Sequence, residues 1–217
     1  MLTLRKETPG DYEAVEALTR RAFYNVYAPG CIEHYILRQM RTHPDYLPEL
    51  SFVLEDGPRL IGSIHYTRAW LAGKPGKPGL PVERIQAVTF GPISVEPELQ
   101  RQGHGKRLLR HTLDLAAALD YGAAVVFGNP DHYVSVGFRS CQHYNVCQPD
   151  GRFPSAMLVR ELQIDTLTGG PFVYFGSPAL EVDGGEAEAY DASLPPMKKG
   201  WLPTQETFDI LSHSFLE

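Results

Sequence analysis

The sequence lacks several features that mark specialised classes of protein. Its 217 residues contain no apolar run of about 18 residues, so no membrane-spanning helix is expected. Its three cysteines are odd in number and scattered, which argues against a secreted disulfide framework and predicts a reducing, cytoplasmic location. Cys141 and Cys147 have a C-x5-C spacing that fits no common zinc pattern, so no metal site is predicted. The N-terminal residues are charged rather than apolar, and we therefore expect no signal peptide.

Basic residues are fewer than acidic residues in this sequence. Twenty lysines and arginines face 26 aspartates and glutamates, for a net charge of −6. From Phe172 to Glu217 eight acids face two lysines, so this segment carries the whole net charge. Nucleic acid binding requires a basic face, and this balance argues against nucleic acid as the main partner. We interpret the acidic segment as a solvated surface; attraction of a cationic amine substrate is the alternative.

What the chain does contain is ordinary for a globular protein, with 43% hydrophobic and 21% charged residues. Hydrophobic periodicity and turn signals predict an ordered series of elements. These are strand 2–6, a helix after Thr8-Pro9, helix 32–40, strands 51–55 and 59–66 joined at Asp56-Gly57, a loop over 73–81, strand 85–95, a helix from the glycine-rich loop to about 119, strand 123–127, helix 130–136, strand 156–161 and an amphipathic stretch over 204–215. This order predicts an α/β or α+β fold with helices on both faces of a sheet.

A strand, a glycine-rich loop and a helix follow one another between Val88 and Leu119. Gly103 and Gly105 allow a ligand to approach the backbone closely, and the helix that starts there offers free N–H groups and a positive dipole end. Arg101, Lys106 and Arg107 add positive charge. The P-loop pattern fails because Arg107 stands where serine or threonine is required, and the dinucleotide fingerprint fails because position 108 is leucine. The unit therefore predicts an anion site of another kind.

The residues Gln100-Arg101-Gln102-Gly103-His104-Gly105 fit the pattern [QR]-x-x-G-x-[GA] of the GNAT acetyltransferase superfamily. Two further segments resemble its YhbS-like subgroup of N-acetyltransferases: Phe90 to Gln100, the strand and turn before the loop, and Val126 to Phe138, a strand followed by Y-x-x-x-G-F. The order of elements agrees from residue 1 to about 162. The chain is therefore identified as a member of this superfamily, with residues 1–165 as the acyl-CoA-binding catalytic domain and residues 166–217 as an acidic C-terminal extension.

The resemblance implies a GNAT fold, in which a mixed, mostly antiparallel twisted sheet is splayed at its middle. It implies acetyl-CoA as the cofactor, with the pyrophosphate on loop N–H groups and the pantetheine arm paired to the splayed strand. A backbone N–H of that strand is expected to polarise the thioester carbonyl. The residues that it assigns to cofactor binding are Ile93, Ser94, Val95, Gln100, Arg101, Gln102, Gly103, His104, Gly105, Lys106, Asn129 and Tyr133.

For catalysis, Tyr133 matches the family tyrosine that protonates the departing thiolate as general acid. The general base is open: Glu83 is the first candidate, and Gln86 and Thr89 lie close to it in the sequence. His65 is interpreted as a core histidine. Cys31 follows Pro29-Gly30 without a recognisable nucleophile context, so a covalent relay is not expected.

Two functions from different classes remain open at this point. The first is an N-acetyltransferase that moves the acetyl group to a primary amine of a small molecule or peptide by direct attack. The second is a non-catalytic acyl-CoA sensor or partner subunit. The extension is expected to pack on its own domain or on a second subunit, which leaves a homodimer open. The identity of the amine cannot be read from the sequence.

Overall fold

A computed structural model of the chain describes residues 1–73, 84–168 and 170–217. The helices are α1 Tyr12–Phe23, α2 Glu33–Met40, α3 His104–Ala118, α4 Pro130–Tyr133, α5 Gly184–Ala192 and α6 Pro203–Ser212. The strands are β1 Leu2–Lys6, β2 Phe52–Asp56, β3 Arg59–Gly73, β4 Arg84–Val95, β5 Ala123–Phe127, β6 Arg139–Ser140, β7 Val146–Cys147, β8 Phe153–Pro154, β9 Met157–Glu161, β10 Phe172–Phe175 and β11 Phe215–Leu216. Within these residues, no helix combines the length and hydropathy that a bilayer crossing requires.

The chain forms two compact units, and each is assembled from separate segments of sequence. The first consists of Met1–Thr67, Gly91–Thr112 and Pro178–Phe208. The second consists of Arg68–Phe90, Leu113–Ser177 and Asp209–Glu217. Most of the acidic extension therefore belongs to the first unit. The predicted boundary at residue 165 stays a prediction.

In the first unit, β1, β2 and the first part of β3 form an antiparallel meander. β2 and β3 are joined by a tight turn in which Asp56 pairs with Arg59, as the Asp-Gly signal predicts. The helices α1 and α2 pack together because their apolar residues recur at helical spacing. Their buried side chains form a cluster with a β2 residue and one from the extension: Val15, Leu37, Met40, Val53 and Ala179.

In the second unit, β5 lies between two strands and its first four residues are buried. It pairs in parallel with β4 and antiparallel with β9. The register between β4 and β5 ends at Thr89 opposite Val125, although both strands continue beyond these residues. β10 pairs antiparallel with β3 and parallel with β7. The predicted mixed fold with a mostly antiparallel sheet is therefore confirmed.

Some local predictions differ from the structure. The helix predicted to run to about residue 119 ends at Ala118, Asp120 takes a left-handed conformation, and Leu119 is 44% exposed. The amphipathic stretch over 204–215 forms α6 as far as Ser212, and Phe215 belongs to β11. The elements α5 and β10 were not predicted. The expected loop over 73–81 lies outside the described residues except for Gly73.

Candidate functional site

The glycine-rich loop, residues 100–106, leads from β4 into α3 in the first unit. Arg101 and Gly103 have positive φ angles of 61° and 89°, and α3 begins at His104. A Cβ atom added to Gly103 would meet nothing within 4 Å, so this side of the loop is open. No hydrogen bond in the described part of the chain is donated by the backbone N–H groups of residues 101–106. The first such donor is Arg107, which binds the carbonyl of Gly103 at 3.0 Å.

Side chains at the start of the loop fix its path. Gln100 Nε2 donates to the carbonyl of Val95 at 3.2 Å, and Gln102 Nε2 donates to the carbonyl of Glu98 at 3.3 Å. A Cβ atom on Gly105 would lie 3.7 Å from Val95 Cγ2, which is an ordinary contact. Gln100, the first residue of the motif, therefore ties the loop to the end of β4.

Carboxylates near the loop are neutralised by arginines that sequence reasoning missed. Buried Glu96 Oε1 lies 2.5 Å from Arg21 Nη2, and Arg59 forms an ion pair with Glu98. The hydrogen bond from Arg59 lowers the pKa of Glu98. In contrast, Arg101 and Lys106 are exposed and form no ion pair within the described residues. The loop therefore presents uncompensated positive charge beside free N–H groups, which is the combination that binds phosphate oxygens.

The predicted cofactor strand, residues 93–95, is the C-terminal part of β4. Ser94 is fully buried, and its hydroxyl donates to Thr19 Oγ1 at 2.9 Å. Ile93 and Val95 are half-buried on the opposite side of the strand from Ser94. The Ser94 side chain is thus engaged with α1, so only its backbone is available to a ligand.

Tyr133 and Asn129 belong to the second unit. The Tyr133 ring is 8% exposed and lies edge-on to Phe90 and Phe138, with ring centroids 5.7 and 5.9 Å away. Gly128 makes room for the ring, since a Cβ atom there would lie 2.8 Å from Tyr133 Cε2. Asn129 Oδ1 accepts the Asp131 N–H at 3.0 Å and caps α4. Packing therefore fixes the tyrosine, and the asparagine side chain has a local structural partner.

The general base is not identified among the candidates. Glu83 lies outside the described residues. Gln86 is exposed, and its carbonyl accepts the Gly122 N–H at 2.8 Å. The Thr89 hydroxyl is buried and lies 2.6 Å from the Tyr174 hydroxyl, so it is committed to a structural hydrogen bond.

His65 belongs to a buried ionic network in the first unit. Its Nε2 lies 3.0 Å from Glu7 Oε1, and Arg41 Nη2 lies 2.5 Å from the same oxygen. The Tyr46 hydroxyl donates to Glu7 Oε2 at 2.9 Å. Burial opposes ionisation of Glu7, but His65 and Arg41 outweigh it and lower the pKa to about 2. The prediction of a core histidine agrees with full burial of the ring, although His65 Nδ1 has no hydrogen-bond partner in the part of the chain that the structure describes.

Cys31 has neighbours that the sequence did not reveal. His34 Nδ1 lies 3.4 Å from the Cys31 sulfur, and Asp191 Oδ1 lies 3.4 Å from His34 Nε2. We call these three residues the Cys31 cluster. Burial raises the pKa of the Cys31 thiol, and the charges of Glu33 and Asp191 raise it further. A free thiolate nucleophile is therefore disfavoured, in agreement with the expectation of no covalent relay.

Comparison with known families identifies the class of protein. The model of the acetyltransferase (GNAT) family matches residues 13–138, which is more than half of the chain and includes the glycine-rich loop and Tyr133. The chain belongs to the GNAT acetyltransferase family and is a GNAT-type acyltransferase. No curated protein matches the chain.

Solved structures share the fold of this chain. The GNAT family N-acetyltransferase YhbS from Escherichia coli, in complex with CoA, has a TM-score of 0.69 and 25% identity over 84% of this chain and 93% of its own. A GNAT family acetyltransferase from Brucella melitensis, in complex with acetyl-CoA, has a TM-score of 0.61 and 22% identity over 83% and 99%. The ribosomal-protein-S18-alanine N-acetyltransferase from Escherichia coli shares the fold, with a TM-score of 0.52 and 18% identity over 76% and 96%.

Proposed function

We propose that this protein transfers an acetyl group from acetyl-CoA to a primary amine of a small molecule or peptide by direct attack. The observation that carries the proposal is the row of backbone N–H groups at residues 101–106, which have no partner in the described structure, beside open space where a Cβ atom on Gly103 would lie. Such a row at the start of a helix favours an anion with several oxygens. The pyrophosphate of coenzyme A has this chemistry.

The residues present fit acetyl-CoA in two respects. Arg101 and Lys106 supply exposed positive charge, while Arg21 and Arg59 neutralise the nearby carboxylates. Among the described residues the β4–β5 register runs from Ala87 to Thr89 on β4, and we propose that an extended pantetheine arm pairs with β4 beyond it. We assign this pairing to residues 93–95. Acetyl-CoA supplies an activated thioester when it is bound.

In this proposal Tyr133 is the general acid. Its ring packs between Phe90 and Phe138 and lies against the backbone of Gly128, so its hydroxyl is held in a defined position. Proton donation to the departing thiolate would require only this hydroxyl. A backbone N–H of residues 93–95 would stabilise negative charge that develops on the carbonyl oxygen. The base that deprotonates the amine remains open, with Glu83 as the candidate.

The acceptor is proposed at the level of a primary amine. Net charge is −6, which favours cationic molecules over anionic ones. We also propose a reducing compartment such as the cytoplasm, since Cys31, Cys141 and Cys147 are all free thiols.

The test is the variant Tyr133→Phe, which keeps the ring and removes the hydroxyl. Release of CoA would be followed with a panel of small-molecule and peptide amines. A general acid contributes about 10²- to 10⁴-fold, so kcat should fall by at least about 100-fold while the Kd for acetyl-CoA changes less than about threefold. Tyr144→Phe, a half-buried tyrosine of the same unit, is the matched control.

An unchanged kcat in Tyr133→Phe would remove the assigned role. Binding of acetyl-CoA without turnover on any amine would favour the alternative, a non-catalytic acyl-CoA sensor or partner subunit.

A further inference from the structure

The Cys31 cluster joins two parts of the first unit that are far apart in the sequence. Cys31 lies two residues before α2 begins at Glu33, and His34 lies in the first turn of that helix. Asp191 lies in the last turn of α5, in the acidic extension. One ligand atom from each of the three residues lies within 4.8 Å of the other two. The cluster thus combines a sulfur, an imidazole nitrogen and a carboxylate oxygen.

The histidine of the cluster is incompletely satisfied. His34 is fully buried, and its Nε2 has no hydrogen-bond partner among the described residues. Leaving a buried polar group without a hydrogen bond destabilises a folded protein. The nearest carboxylate oxygen, on Asp191, lies 3.4 Å away without hydrogen-bond geometry. A cation bound between these groups would satisfy the Nε2 atom of His34.

The Cys31–His34 and the His34–Asp191 distances are each close to a ligand–ligand distance in a tetrahedral zinc site. Bond lengths of about 2.0–2.3 Å at tetrahedral angles place neighbouring ligand atoms roughly 3.3–3.6 Å apart. Cys31 Sγ and Asp191 Oδ1 each lie 3.4 Å from a nitrogen of the His34 ring, but from different nitrogens. Since one nitrogen must serve both, binding requires the donor groups to close by roughly 1 Å. Half-buried Cys31 can make this movement by rotation about χ1.

The residues around the Cys31 cluster orient one of its ligands and leave a route by which an ion can reach it. Arg20 Nε donates to Asp191 Oδ1 at 2.7 Å and so orients the carboxylate, as outer-shell partners of metal ligands do. Cys31 and Asp191 both line a cavity of about 350 Å³, whose wall also contains Glu33 and Glu188. An ion can therefore enter from the cavity, and the fourth coordination position would face it.

We propose that Cys31, His34 and Asp191 form a site for one Zn²⁺ ion, with an open fourth position on this cavity. The mixed sulfur, nitrogen and oxygen donor set suits zinc better than calcium or magnesium. The ion would join α5 of the extension to the start of α2. No metal was predicted from the sequence, because C-x-x-H supplies only two ligands and the third lies 157 residues further along the chain.

The test uses the untagged full-length protein after chelation, titrated with Co²⁺ and then with Zn²⁺. A thiolate bound to Co²⁺ gives a charge-transfer absorption, and the intensity of the visible bands reports tetrahedral coordination. We expect one Co²⁺ per chain, both absorptions, and their loss when Zn²⁺ is added. The double variant Cys141→Ser/Cys147→Ser, which keeps Cys31 as its only thiol, should retain both absorptions.

Cys31→Ser should abolish the charge-transfer absorption, and Asp191→Asn should weaken Co²⁺ binding at least about tenfold. Absence of the charge-transfer absorption in the wild-type protein would overturn the proposal. Its loss in the Cys141→Ser/Cys147→Ser variant, with circular dichroism unchanged, would also overturn it. These readouts do not depend on acetyl transfer, so the proposal can fail or stand separately from the proposed function.

Discussion

Gly128→Ala should disturb the position of Tyr133 without touching its hydroxyl. The new Cβ atom would lie 2.8 Å from Tyr133 Cε2, whereas carbon atoms prefer separations of about 3.5–4.0 Å. The backbone at Gly128 is held by a hydrogen bond from its N–H to the carbonyl of Ala156 at 2.9 Å. The ring must therefore move, by roughly 1 Å.

A displacement of this size at a reacting group can lower the rate about 10²-fold, which corresponds to roughly 2.7 kcal/mol in the activation free energy. We expect kcat to fall about 10- to 100-fold while KM for acetyl-CoA changes less than about threefold. Overpacking should also lower the free energy of unfolding by about 1–3 kcal/mol. Steady-state kinetics and urea unfolding measure the two effects separately.

Two further variants sharpen this prediction. Gly184→Ala is the matched control, because a Cβ atom there meets nothing within 4 Å. If both changes act through the same hydroxyl, Gly128→Ala should lower kcat little further in a Tyr133→Phe background. A folded Gly128→Ala enzyme with wild-type kcat would refute the reasoning, since the ring would then be displaced without consequence.

The remaining predictions concern stability. The pKa of Glu7 is about 2 in the folded protein against 4.5 for an unperturbed glutamate, so its ionisation stabilises the fold by about 3 kcal/mol. This contribution is fully present above pH 4.5 and is lost as pH falls towards 2. Urea unfolding at pH 7 should therefore show Glu7→Gln about 3 kcal/mol less stable than the wild type. The difference between the two proteins should shrink as the pH is lowered. Equal stabilities at neutral pH would contradict this. Thr89→Val removes the partner of the buried Tyr174 hydroxyl and should cost about 1–3 kcal/mol, whereas Thr207→Val, at an exposed site, should change the thermal midpoint little. A midpoint unchanged in Thr89→Val would show that the hydroxyl finds another partner.

The parts of the molecule that could be predicted from the sequence are those whose causes are local. The glycine-rich loop is specified by contiguous residues, and Gly103 has the positive φ angle for which glycine is suited. Gly137 likewise has a φ angle of 93° and ends the short helical segment after Tyr133, while Phe138 is buried. The motif Y-x-x-x-G-F is therefore readable because each of its residues has a local structural reason.

The parts that were missed depend on distant contacts. Gly184-Gly185 suggests a turn by propensity, yet α5 forms there because Asp183 Oδ1 accepts the Glu186 N–H and because Asp191 pairs with Arg20 in α1. Propensity alone cannot predict a helix that a tertiary ion pair stabilises. The Cys31 cluster was not predicted for a similar reason, because Asp191 lies far along the chain from Cys31 and His34.

The measurement that tests the central claim most directly is calorimetric titration of the purified protein with acetyl-CoA, beside the variant Gly105→Glu. A glutamate here places negative charge in the first turn of α3, and its Cβ atom fits without a clash. Gly184→Glu, in the first turn of α5, is the matched control. We predict micromolar binding by the wild type and the control, and binding at least about tenfold weaker in folded Gly105→Glu. Absence of binding by the wild type, or equal binding by all three proteins, would contradict the assignment of the loop as the acetyl-CoA site.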